Sequence, residues 1–133
     1  HCYLIDDVLF SHAGVSEQWV NMTSKIENIA YTGDPVAFIN ECSFPSLMAC
    51  GRARGGRDLY SGPEWLDVHE IYWDVNLLKE FYQVFGHTQV GHCKGPWTDD
   101  NGACVDTQTM YELDTETHEL RLLQEIPPIP DSW

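Results

Sequence analysis

Two apolar runs that each stop at a histidine limit what this chain can fold into. In "YLIDDVLFSHAG", Tyr3, Leu4 and Ile5, then Val8, Leu9 and Phe10, lead to His12, followed at once by Ala13 and Gly14. In "YQVFGHT", the run from Tyr82 to Phe85 ends in Gly86, His87 and Thr88. Segments apolar on both faces read as buried strands, so 3–11 and 82–85 are expected as strands of an α/β fold with layered helices. Open α/β sheets place ligands at strand ends. Imidazole is the commonest metal ligand among side chains, and small neighbours let a ligand approach the backbone.

The rest of the chain supplies the other layers. Ser16 and Asp34 are candidate helix N-caps, Asp34 with Pro35 at the first helical position, and they place a helical segment over 17–50. Residues 51–62 hold four glycines and three arginines, Arg52, Arg54 and Arg57, and read as a loop. A short helix is expected over 76–81 and a loop over 95–102. Short strands are expected at 103–105, 110–113 and 119–123, the last two forming a hairpin across "DTETH". The proline-rich tail, 126–133, is expected to lie extended.

Composition narrows the partners. With 133 residues, 43% of them hydrophobic, the chain is about one domain long and can bury a core. Seven Lys and Arg against 21 acidic residues give a formal charge of -14. That balance argues against nucleic acid and anionic membranes, whose phosphates it would repel. Three of the seven cations sit together in the glycine loop, where an arginine fork can grip phosphate. No apolar run approaches the roughly 18 residues of a membrane span, so a soluble, cytoplasmic protein is expected. The five cysteines show no C-x-x-C spacing and are expected to be free thiols.

Histidines, arginine and acidic surroundings together point to metal-assisted phosphoryl chemistry. "VLFSHAGVS", "GRARGGRDLYSGPEWLD", "YQVFGHTQVG" and "ACVDTQTMYELD" stand in an order that resembles the C-terminal half of a calcineurin-like metallophosphoesterase, in the branch of serine/threonine phosphoprotein phosphatases and diadenosine tetraphosphatase-like enzymes. The resemblance covers nearly the whole chain as a single partial domain, with 17–50 as its variable helical part. It implies half of a β-sandwich flanked by helices. It also implies that His12 and His87 ligate the same one of two metal ions, of manganese, iron or zinc. Arg54 best matches the substrate-phosphate arginine, with Arg57 and Arg52 near enough to contest the role. Asp106 falls on the aspartate of the family's "iDtG" hairpin, although Gln108 stands where glycine is usual.

The family's D-x-H, G-D-x-x-D-R-G and G-N-H-[ED] motifs should precede His12, which only eleven residues do. Asp67-Val68-His69 imitates the first motif and Gly33-Asp34 the start of the second, without the flanking residues the family shows. The resemblance therefore implies a phosphatase fragment. Complete, it would hydrolyse phosphomonoesters, on a phosphorylated protein or a small phosphate ester, or nucleoside polyphosphates, through metal-bound hydroxide. Alone, it is expected to hold at most one ion weakly, and to need its missing N-terminal half or to self-associate. The alternative is a non-catalytic, stand-alone binding or structural module on the same scaffold.

Overall fold

The computed structural model describes residues 1–90, 95–107 and 109–125. Cys93, Gln108 and the tail 126–133 lie outside them. The chain forms a mixed α/β fold. Strands β1 (Cys2–Ile5), β2 (Val8–Ser11), β3 (Tyr82–Phe85), β4 (Trp97–Asp99) and β5 (Gly102–Cys104) make a sheet of order β1-β2-β3-β5-β4, and β6 (Thr109–Leu113) pairs with β7 (Leu120–Glu125) as a separate hairpin. The central strands β2, β3 and β5 run parallel, while β1 and β4 join the two edges antiparallel.

The segment 3–11 is thus a hairpin and not one buried strand. Asp6 takes a left-handed φ of 54°, a conformation its short polar side chain tolerates, and the chain reverses so that Ile5 faces Val8. Tyr3 and Ile5 consequently stand on an exposed edge, 75% and 54% accessible. The expected loop over 95–102 likewise contains β4. Asp99 accepts the Asn101 N–H at 2.8 Å and turns the chain straight into β5, a local side-chain turn of the kind aspartate favours.

Helices cover one face of the sheet. Ser16 caps α1 (Glu17–Glu27) by accepting the Trp19 N–H, and Asp34 caps α2 (Pro35–Glu41) by accepting that of Ala37. A one-turn helix, α3 (Phe44–Leu47), follows. Trp19, fully buried, packs edge-on against Phe38 and donates its indole N–H to the Ser46 carbonyl at 3.0 Å, so one side chain ties the three helices together. Pleating puts Leu9, Gln83, Phe85 and Cys104 on this face. Leu9 joins the core beneath α1–α3; Phe85 and Cys104 join a second one with Leu66, Ile71 and Val75 around α4 (Val68–Trp73).

The helix expected over 76–81 is absent, and α4 forms nearer the N-terminus. Asp67 and Glu70 make a reciprocal capping box that starts α4. The backbone of 76–78 is held instead by the segment after His12: Glu17 N–H donates to the Asn76 carbonyl, and Leu78 N–H to that of Val15. Tertiary pairing overrides local propensity here.

On the opposite face, where Tyr82 lies, the β6–β7 hairpin is latched by its own turn. His118 stacks on Tyr82 with ring centroids 4.3 Å apart and bonds Asp7 at 3.0 Å, while Thr115 donates to Asp6 at 2.7 Å. No helix among the described residues is long and apolar enough to cross a membrane.

Two expectations follow. Gln83→Leu should cost about 1–3 kcal/mol in urea unfolding, because Gln83 Oε1 is the acceptor for the buried Val15 N–H, at 2.8 Å. The hydrogen bond from His118 holds the Asp7 carboxyl below its ordinary pKa. A depressed folded value contributes stability above the ordinary aspartate range that is lost as pH falls through it. The contact between His118 and Asp7 should therefore loosen as pH falls below the ordinary aspartate range, as followed by the NMR signals of the His118 and Tyr82 rings. Asp7→Asn should remove the part of that acid change that does not belong to Asp114, whose carboxyl is also held low by the Glu116 and Thr117 N–H groups.

Candidate functional site

Each of the three parallel strands ends, within two residues, in a residue able to bind metal or carry charge: His12 after β2, His87 after β3 and Asp106 after β5. The stretch after β2 cannot drift from β3. His12 C=O accepts the Gly86 N–H at 2.8 Å, and Ala13 N–H donates to the Pro63 carbonyl at 2.9 Å. Three residues beyond His12, the Gln83 side chain grips both backbone groups of Val15, at 2.8 and 2.9 Å. Gly14 has a φ of 103° and sits against Leu66 and Leu77, where a side chain would be both strained and crowded.

The outcome is convergence of the two histidines. His12 Nε2 and His87 Nδ1 are 3.1 Å apart, with ring centroids at 4.9 Å. His87 holds a left-handed φ of 72°, uncommon for a non-glycine residue. Trp65 supports its ring edge-on at 5.6 Å. Burial, then the Arg54 and His12 charges, push the His87 pKa down against the opposite pull of Asp67 and Asp106. At neutral pH His87 is therefore an unprotonated ring with a lone pair to give. Its other nitrogen, Nε2, is buried with no hydrogen-bond partner among the described residues.

Two nitrogens bound to one ion at 2.0–2.1 Å stand roughly 2.9–3.4 Å apart for octahedral to tetrahedral angles, so the observed separation fits a shared metal. The described residues contain no group of three or more His, Cys, Asp or Glu placed to hold one. The pair alone could offer a metal two nitrogens.

Of the three loop arginines, the structure brings only Arg54 to the histidines. It ends a 3-10 turn (Arg52–Arg54) closed by Gly55 in the left-handed region, and its Nη2 lies 3.4 Å from the His87 carbonyl and 3.3 Å from the Thr88 hydroxyl. Asp67 stands 2.8 Å from Arg54 Nε, an ion pair in which the Nε–H is not aligned on the carboxylate. Arg52 and Arg57 turn away to a separate cleft of about 460 Å³ beside Asp58, Glu70 and Asp74.

The lookalike motifs have structural duties. Asp34 caps α2. Asp67 caps α4, pairs with Arg54 and accepts a 2.7 Å hydrogen bond from the exposed His69 ring. Burial would raise the Asp67 pKa, but the backbone N–H of His69, its ring and Arg54 hold it below the ordinary range. Asp106 approaches Gly86, its Oδ2 3.8 Å from where a Gly86 Cβ would stand, and its charge acts on the neighbouring His87.

Sequence reasoning missed the groups that aim Arg54. Gly51 N–H donates to Ser61 at 2.8 Å, Ser61 donates to the buried Glu70 at 2.9 Å, and Glu70 accepts the Asp67 N–H at 2.9 Å. Thr88 accepts from both Val68 N–H and Arg54. Only the Asp67-x-x-Glu70 spacing was a local signal for any of this.

No family model, curated protein or solved structure matches the chain.

Asp67→Asn, which keeps a side chain able to cap α4 but removes its charge beside Arg54 and His69, should destabilise the fold by about 1 kcal/mol at pH 7, the scale of a lost ion pair. Because the Asp67 pKa is depressed, that difference should be fully present above the ordinary aspartate value and disappear as pH falls through its folded one. Urea midpoints of the two proteins, measured from pH 7 down to about pH 3, check both the size and the direction.

Proposed function

We propose that this chain carries one metal-ligand pair and the phosphate-gripping arginine of a metal-dependent phosphoric ester hydrolase, of the calcineurin-like metallophosphoesterase type, as the C-terminal half of its sheet assembly. One observation carries the reading: two histidines from neighbouring parallel strands meet at 3.1 Å, and Arg54 reaches the backbone of the second. The motif order in the sequence supports it independently.

In this reading His12 and His87 hold one divalent ion, manganese, iron or zinc. When bound, such an ion is a Lewis acid for phosphoryl oxygen and lowers the pKa of a water nucleophile. The chain's own residues do the rest. His87, neutral at physiological pH, offers its lone pair without first losing a proton. Arg54 holds the transferring phosphoryl group by charge-assisted hydrogen bonds, worth more as charge builds on its oxygens. Asp67 and Thr88 fix the guanidinium, so little orientation is lost when substrate arrives. A phosphorylated protein or a small phosphate ester suits this arrangement, and a second ion would need ligands beyond this pair.

A second reading, a non-catalytic binding module, is favoured by the lack of a third metal-binding side chain beside the histidines among the described residues. Metal binding tests both readings, and hydrolysis separates them. Manganese titration followed by calorimetry should show at most one weak site on the 133 residues, weakened at least tenfold by His12→Ala and by His87→Ala and left alone by His69→Ala, because a bidentate pair reduced to one imidazole loses most of its affinity. Binding unchanged by both histidine variants would sink either reading. Aryl phosphate hydrolysis that appears only when the complementary half is supplied selects the enzyme; its absence there selects the module.

A further inference from the structure

Exposed Trp and Tyr side chains occur singly on many surfaces and need no explanation. Here three aromatic rings gather around a hollow. Tyr72 and Trp73 on α4, 68% and 75% accessible, stand edge-to-face at 4.8 Å, and with Trp97 of β4 they border a cavity of about 290 Å³. His69, Thr88 and Val90 lie in its wall. Among the described residues no Lys, Arg, Asp or Glu lines it. An apolar hollow of about 150 Å³ accepts benzene, so this one has room for a substituted ring.

The hollow adjoins the arginine. Thr88 is a wall residue here and also a hydrogen-bond partner of Arg54, and His69 is bonded to the Asp67 that pairs with Arg54. From His87 to Val90 is three residues, at most about 10 Å of chain.

We propose that this cavity takes the aromatic leaving group of an aryl phosphate monoester whose phosphoryl group is held at Arg54. The assignment rests on the phosphate-hydrolase reading above and adds the substrate class. Charge selects the monoester over a nucleoside polyphosphate: Arg52 and Arg57 face the other cleft, so a polyphosphate at the histidines would meet one guanidinium of the loop in a chain of formal charge -14.

The test uses non-hydrolysable probes on the 133-residue protein: phenylphosphonate, methylphosphonate and adenosine 5′-monophosphate, titrated by NMR with the Trp indole N–H signals as reporters. Phenylphosphonate should bind about tenfold tighter than methylphosphonate, the scale of one base-on-aromatic stack, and shift the Trp73 and Trp97 indoles. Trp73→Ala, at an exposed position that the fold tolerates, should remove that advantage and leave methylphosphonate binding unchanged. Equal binding of the two phosphonates, or an advantage that survives Trp73→Ala, overturns the aryl subsite while Arg54-dependent methylphosphonate binding keeps the parent reading intact. A gain shown by the adenosine nucleotide and not by phenylphosphonate overturns the aryl assignment in favour of a nucleobase. Phosphonate binding that is absent, or indifferent to Arg54→Ala, overturns both.

Discussion

The parallel pairing of β2 with β3 is the constraint on which the other parts depend. It is sealed by a side chain: Gln83, completely buried, satisfies the Val15 N–H and C=O where the chain leaves the sheet. An amide used in this way continues the ladder past the strand's end and delivers the first helix at a fixed distance. Because a buried amide with both ends bonded tolerates little displacement, the loop carrying His12 inherits the precision of the sheet. The histidine pair is a by-product of that registration.

A second network supports the arginine. The glycine loop, α4 and the strand end after β3 share one run of polar contacts from Gly51 through Ser61, Glu70 and Asp67 to Arg54 and Thr88. Gly51 is required there, since a Cβ would stand 2.5 Å from Glu70 Oε1 and 2.8 Å from Ser61 Oγ. The same acidic groups that make the chain strongly anionic thus serve, in this corner, to immobilise a cation. Glu70 does so without touching it, by holding the loop and the helix cap in one piece.

Local chemistry made the caps legible in advance. Ser16, Asp34 and Pro35 act within one helical turn, so their partners are visible in the sequence, and both histidines could be marked because each follows an apolar run. What could not be read depended on partners far along the chain. Gln83 answers to Val15, 68 residues away, and Thr88 to Arg54, 34 away. The same distance dependence explains the misplaced helix, since the backbone of 76–78 is claimed by residues 15–17. Two turns were missed for a different reason. The Asp6-Asp7 and Asp100-Asn101 pairs reverse the chain in two residues, too few to interrupt an apolar or polar run visibly.

The left-handed backbone at His87 has a meaning for the history of such a chain. A non-glycine residue held at a φ of 72° carries a local penalty of about 1–3 kcal/mol, which glycine would relieve at once. Selection for stability alone would therefore remove this imidazole while leaving the strand, the core and the neighbouring Arg54 cradle undisturbed. A descendant that drifted in that direction would keep the shape of this corner and lose half of its nitrogen pair, so the residue at position 87 reports on that pair more sharply than the fold around it does.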